Sequence, residues 1–131
     1  GEVERTLGGD VSDEVRRAVM ANISNRDITR IALKLFTGCG AEGHELGTLL
    51  DAHHANLRDG LGISTPKIER LIAAAKGAGA SGCKINGSGG GGCMIAYTTE
   101  DPEEIVEAVR ESGGEAYILK IDSGYREESA T

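Results

Sequence analysis

The sequence predicts an α+β fold: a ferredoxin-like split β-α-β sandwich with an antiparallel sheet and additional N-terminal helices. Three observations carry that prediction. Up to residue 75, apolar side chains recur every three or four positions, the period of a helix with one buried face. The period then shortens to two in GCKIN (82–86) and CMIAYT (93–98), runs bounded by glycine and turn residues, as strands are. Finally, DPEEIVEAVRESGG (101–114) reads as a capped helix and leads into a further alternating run, EAYILKID (115–122). The back half is therefore α-β-β-α-β, one strand short of the split arrangement. EVERTL near the start is one candidate for the first strand, the other reading being that it lies outside this chain.

Each element has a local reason. In residues 11–23, Val15, Ala18, Val19 and Ile23 fall at helical spacing. A second helix, NRDITRIALKLF, aligns Ile28, Ile31, Ala32, Leu35 and Phe36 before Gly38 and Gly40. HELGTLLDAHHANLRDGL supplies a third, with Leu46, Leu49, Leu50, His53, Leu57 and Leu61 at the recurring positions. The fourth starts at Thr65, which can cap, with Pro66 at the first helical position, where a missing N–H costs nothing. Ile68, Leu71, Ile72 and Ala75 form its buried face, and Gly77 and Gly79 stop it. In the last helix Asp101 caps, Pro102 opens, Glu104 completes a capping box and Gly113–Gly114 terminates. Capping explains Asp101 and Glu104 without invoking chemistry.

At 131 residues the chain is one domain, 1–131, with a helical part over about 10–61 and an α-β-β-α-β part over about 65–122. That length suffices to bury a core. Aromatics are scarce, one Phe, three Tyr and no Trp, so the core must be built from Leu, Ile, Val and Ala. Net charge is −7 and the basic residues do not cluster, which argues against nucleic acid as a partner. No apolar run approaches a membrane span and no charged-then-apolar leader opens the chain. The three cysteines, Cys39, Cys83 and Cys93, form no CxxC pair. They read as reduced thiols of a cytoplasmic protein, not as a disulfide frame or zinc site. The chain opens GEVERTLGG without a methionine, so its start reads as a fragment boundary.

KINGSGGGGCMIAY (84–97) sets five glycines and one serine between the two β runs. Ordering glycine costs more backbone entropy than ordering any other residue, so their concentration asks for a cause. A slack Gly/Ser linker joins separately folded units, whereas these flanks belong to one half-domain and a hairpin needs only about two to five loop residues. The chemical use of glycine is different. Without Cβ atoms, successive N–H groups can converge on one concavity and bind an anion such as phosphate, with Lys84 or the Ser88 hydroxyl adding to it. The pattern is neither GxxxxGK[ST] nor a strand-to-helix GxGxxG, and it sits between strands. In the third reading the glycines merely permit tight hairpin packing.

GCKINGSGGGGCMIAY resembles the third motif of the GHMP kinases, the superfamily of galactokinase, homoserine kinase, mevalonate kinase and phosphomevalonate kinase. Upstream, ELGTLLDAHHANLRDGLGISTPKIERLIAAA is similar to the helix and loop before that motif in the galactokinase and mevalonate kinase branches. The likeness runs from about Glu45 to Ile121. The resemblance implies a GHMP kinase C-terminal domain, part of an enzyme that moves a phosphoryl group from ATP, with Mg2+, to a small-molecule hydroxyl. It implies a phosphate-facing role for Gly87, Ser88, Gly89, Gly90, Gly91 and Gly92, with Lys84, Asn86, Cys93 and His54 as supporting positions. Their contribution would be alignment and charge compensation. The family's principal ATP loop, a PxxxGLGSSAA-like segment, and its acidic residues for magnesium and proton removal belong to an N-terminal domain, and these residues contain no such segment. The expectation is thus a chain without catalytic residues or metal ligands of its own, inactive alone. Its partners would be ATP, a hydroxyl acceptor and its own N-terminal domain, which would hold most of the ATP and Mg2+; oligomer formation is compatible with this. LRD after His54 resembles galactokinase, while LGIST with the four-glycine run is nearer to mevalonate kinase. The favoured reading is a galactokinase-like sugar kinase of carbohydrate metabolism. The alternatives are a mevalonate kinase-like, isoprenoid-pathway domain and a non-catalytic ligand-binding module of ferredoxin-like topology.

The remaining candidates have plain readings. Adjacent helical residues diverge by about 100° and no third ligand stands nearby, so His53 and His54 do not make a metal pair. At least one is a hydrogen-bonded histidine at the core edge. His54, which matches a family histidine, takes a structural role first and an indirect contact to the site second. Cys93 reads as a small residue at a strand start, since no histidine base is assigned to it. Arg58 and Asp59 read as an exposed pair at a helix end.

Overall fold

The computed structural model describes residue 5, residues 11–38 and residues 43–120. The described part is an α+β fold of four α-helices and a two-stranded antiparallel sheet. Apart from Arg5, EVERTL lies outside the described residues.

Helix α1 runs from Asp13 to Thr37 without a break, where the sequence predicts two helices. Ser12 caps it, accepting the Val15 N–H at 3.3 Å. The polar step Ser24–Asn25 between the two predicted helices is taken up by a tertiary contact. Asn56 Nδ2 donates to Ser24 Oγ at 2.8 Å and to Asn25 Oδ1 at 2.9 Å. With both side chains engaged elsewhere, neither competes for the helix backbone, and α1 continues.

Helix α2 spans Gly43–Ala55 and passes into a π-helical turn, Asn56–Gly60. There the Leu61 N–H reaches back five residues to the Asn56 carbonyl at 3.2 Å, so the third predicted helix ends in a widened turn. Helix α3, Pro66–Gly77, follows its signals: Thr65 Oγ1 accepts the Ile68 N–H at 3.3 Å and proline opens the first turn. Strands β1 (Gly82–Asn86) and β2 (Cys93–Tyr97) pair with Gly82 opposite Tyr97 and Asn86 opposite Cys93. Helix α4, Glu103–Glu111, is preceded by Asp101, whose Oδ1 accepts the Glu103 N–H at 3.1 Å.

The core has two adjoining parts. Leu71, Ala75, Ala80, Cys83, Ile105 and Val109 pack α3 and α4 against β1, and Leu57, Ile68 and Ile85 extend it towards the glycine loop. Cys83 and Ile85 are fully buried, as the period of two requires for one face of a strand. Helix α2 also lies directly on β1. A Cβ on Gly47 would stand 2.5 Å from the Ser81 carbonyl oxygen, and one on Gly82 would strike the Gly47 backbone. Two facing glycines make that approach.

Residues 115–120, predicted as part of a closing strand, pair with neither strand. Tyr117 and Leu119 are 76% and 87% exposed. In the split arrangement the neighbour of the last strand is the first one. No first strand is present among the described residues, so this run has no ladder to join.

Candidate functional site

Residues 87–92 join β1 to β2. Gly87, Gly89, Gly90, Gly91 and Gly92 all have positive φ, between 75° and 138°, where a side chain would be strained. The segment bounds a concavity of about 350 Å³ lined by residues 86–93. The structure thus brings together Asn86, Ser88, the five glycines and Cys93. Asn86 Nδ2 faces Cys93 Sγ at 3.9 Å across the base of the loop.

The loop has two sides. The Gly90 N–H donates to the Ile63 carbonyl at 2.8 Å, and a Cβ on Gly89 would stand 2.6 Å from that same oxygen. Gly89 and Gly90 are therefore fastened to the turn that precedes α3. Around Gly87, Gly91 and Gly92 an added Cβ would meet nothing within 4 Å. Among the described residues, Gly90 has the only loop amide held by a protein acceptor. The amides of Gly87, Ser88, Gly89, Gly91 and Gly92 are left for a ligand or water.

Lys84 and His54 do not line this concavity. Lys84 Nζ donates to the Ile85 carbonyl at 2.9 Å, and burial holds its pKa below the usual lysine value. His54, 4% exposed, lies beside β1. Its Nδ1 accepts the Ile85 N–H at 3.2 Å, and Nε2 stands 2.9 Å from Glu69 Oε1. A ring nitrogen that accepts leaves the proton on the other, so Nε2–H donates to Glu69. Glu69 also accepts from Ser64 Oγ and lies 3.6 Å from Arg58 Nη1. Burial raises its carboxyl, but the hydrogen bonds from Ser64 and His54 and the charge of Arg58 outweigh that, and its pKa falls below the ordinary value.

One turn earlier on α2, Asp51 Oδ1 accepts the Cys83 N–H at 2.8 Å, while Oδ2 meets Lys76 Nζ at 2.6 Å. Burial, then the nearby Asp51 carboxylate, pushes the Cys83 thiol up to about 11. Arg58 holds Asp59 with two bonds of 2.7 and 2.8 Å, the exposed pair that the sequence suggests. His53 is held below its usual pKa by burial and then by Lys84, and its buried Nδ1 has no partner among the described residues.

Asp51, Ile63, Ser64 and Glu69 escape the sequence reading. The three-residue spacing of Asp51 and His54 on one helix face is a signal that could have found that pair. Ile63 acts through its main-chain carbonyl and leaves no signal.

A lining of backbone amides and one hydroxyl, with no carboxylate, is compatible in charge with a phosphate-like anion. Magnesium does not fit, because no carboxylate lines residues 86–93. No group of three or more metal-ligating side chains occurs among the described residues.

Residues 41–115 match the family model for the GHMP kinases C terminal domain. The chain belongs to the GHMP kinases. Three similar proteins are mevalonate kinases. The mevalonate kinase of Thermococcus onnurineus (strain NA1) is 47% identical over 83 residues, covering 63% of this chain and 25% of the relative. That of Pyrococcus furiosus is 46% identical over 76 residues, 58% of this chain and 22% of the relative. That of Methanothermobacter thermautotrophicus is 33% identical over 113 residues, 83% of this chain and 36% of the relative. The chain therefore spans between 22% and 36% of the length of these relatives. They turn the preference from the galactokinase-like reading, with its carbohydrate metabolism, to the mevalonate kinase-like alternative. LGIST with the four-glycine run was the better guide, and LRD the poorer. No helix among the described residues is long and apolar enough to cross a membrane.

Proposed function

We propose that this GHMP kinase chain is the C-terminal domain of an ATP-dependent, mevalonate kinase-like phosphotransferase, with residues 87–92 facing the nucleotide phosphates. The observation that carries the reading is the two-sided loop. One side is fastened through Gly89 and Gly90 to Ile63, and on the other Gly87, Ser88, Gly91 and Gly92, whose amides have no protein acceptor among the described residues, line an open concavity. Phosphoryl transfer asks a protein chiefly for alignment and charge compensation. Amide dipoles already held in place supply both, because they need not reorganise as charge shifts on the phosphate oxygens. The fastened side provides the holding and the open side the donors.

No carboxylate in the concavity stands ready to take the acceptor's proton or to hold magnesium. On this reading those roles fall to residues outside the concavity, and the mevalonate-type acceptor is supported by the named relatives. The reading in which glycine serves packing alone is favoured at Gly89, where a Cβ collides with Ile63. It has no support at Gly87, Gly91 or Gly92.

Gly91→Ala in the full-length protein tests the loop. A Cβ there meets nothing within 4 Å, so the fold is kept, yet a φ of 138° suits alanine poorly and turns the neighbouring amides. KM for ATP should rise roughly tenfold, the scale of one hydrogen bond lost to a charged group, with the thermal midpoint lowered only by the strain of one loop residue, about 1–2 kcal/mol. An unaltered KM for ATP would refute the phosphate-facing role. Turnover with galactose and none with mevalonate would refute the acceptor class.

A further inference from the structure

We propose that His54 is a positioning residue for the glycine loop, setting the end of β1 from which residues 87–92 present their amides. The inference rests on the phosphate-facing reading for its consequence on ATP, but its geometry stands separately. Successive N–H groups of a strand point to alternate edges, so those of Cys83 and Ile85 share the edge of β1 that faces away from β2. At an ordinary edge such groups meet water or a further strand. Here two side chains three residues apart on α2 take them, Asp51 at Cys83 and His54 at Ile85, at 2.8 and 3.2 Å.

The second of these contacts lies two residues before the loop, and it is the better connected. His54 joins three pieces of structure through one ring. It sits on α2, holds β1 by Nδ1, and reaches Glu69 on α3 by Nε2. Glu69 in turn accepts from Ser64, next to the Ile63 carbonyl that grips the Gly90 amide. The entry and the middle of the glycine loop are thereby referred to the same imidazole, the first through Ile85 and the second through Ser64 and Ile63. The ring does this only with Nδ1 as acceptor and Nε2 as donor.

Two substitutions divide the ring's duties. In H54N the amide oxygen takes the place of Nδ1 and can still accept the Ile85 N–H. In H54Q the longer amide reaches for Glu69 and leaves Ile85 without an acceptor. The test uses the full-length protein with 15N-labelled glycine, first without nucleotide and then in steady-state kinetics. H54Q should shift the amide resonances of Gly87, Gly91 and Gly92 with no ligand present, and should raise KM for ATP about tenfold, as a stranded buried donor does, with a smaller change in kcat. H54N should restore both to near the parent values, even if each variant lowers the thermal midpoint. Loop resonances that stay put in H54Q, or move equally in both variants, would overturn the proposal and reduce His54 to a space-filling residue. Resonances that move only in H54Q while KM for ATP holds steady would uphold the positioning and sink the phosphate-facing reading instead. Should H54Q fail to fold, H54L, which likewise leaves the Ile85 N–H without an acceptor, takes its place. The loop glycines should again shift, and their silence would overturn the proposal.

Discussion

Cys83 and Cys93 are the same residue in two opposite situations, one buried under α3 and α4 and the other exposed at the mouth of the concavity. The thiolate is the reactive form, and burial with Asp51 nearby pushes the Cys83 thiol up to about 11. In native protein an alkylating reagent should label Cys93 quickly and Cys83 only on unfolding, as followed by mass spectrometry over time. Similar rates at the two sites would contradict the packing of β1. The same displacement gives stability a pH dependence. Because the folded thiol binds its proton more tightly than the ordinary 9.0, its contribution is complete below that pH and is lost as pH rises through about 11. Denaturant midpoints measured across that window should fall, and Cys83→Ala should flatten the fall.

Among elements, the contact of α2 with β1 is one that a single methyl group would break. Gly47→Ala puts a Cβ 2.5 Å from the Ser81 carbonyl oxygen, so the helix must lift from the strand, at a cost of about 1–3 kcal/mol. Gly77→Ala, at the exposed end of α3 with nothing within 4 Å of the new atom, should instead stabilise by up to about 1 kcal/mol. Urea midpoints of the two variants should move in opposite directions. The elements also differ in how far local sequence could reveal them. Helix α3 was legible because Thr65, Pro66 and its apolar stripe are all local signals. The continuity of α1 was not, since the group that engages Ser24 and Asn25 is Asn56, some thirty positions away. The run at 115–120 has the composition of a strand, but a strand exists only by its neighbour. The glycine loop was legible from composition, whereas its division into a fastened and an open side depends on a carbonyl of Ile63. His54 was found and its two partners, Ile85 N–H and Glu69, were not.

At the scale of the whole molecule, what the concavity lacks is as informative as what it holds. It offers amides and one hydroxyl, but no base and no carboxylate, and the chain spans between 22% and 36% of the length of its mevalonate kinase relatives. On the proposed function, the purified 131-residue chain should release no ADP from MgATP with mevalonate present, while the full-length protein should. Measurable turnover by the chain alone would show that its own residues contain a complete catalytic set.

The side chains of Asp51 and His54 also seal one margin of the sheet, leaving β2 as the bare margin among the described residues. Propagation of a cross-strand stack requires an unsatisfied border on both sides of each repeat. Copies of this chain that met along β2 would thus close as a pair and go no further, and fibril growth would have to wait until α2 had peeled away.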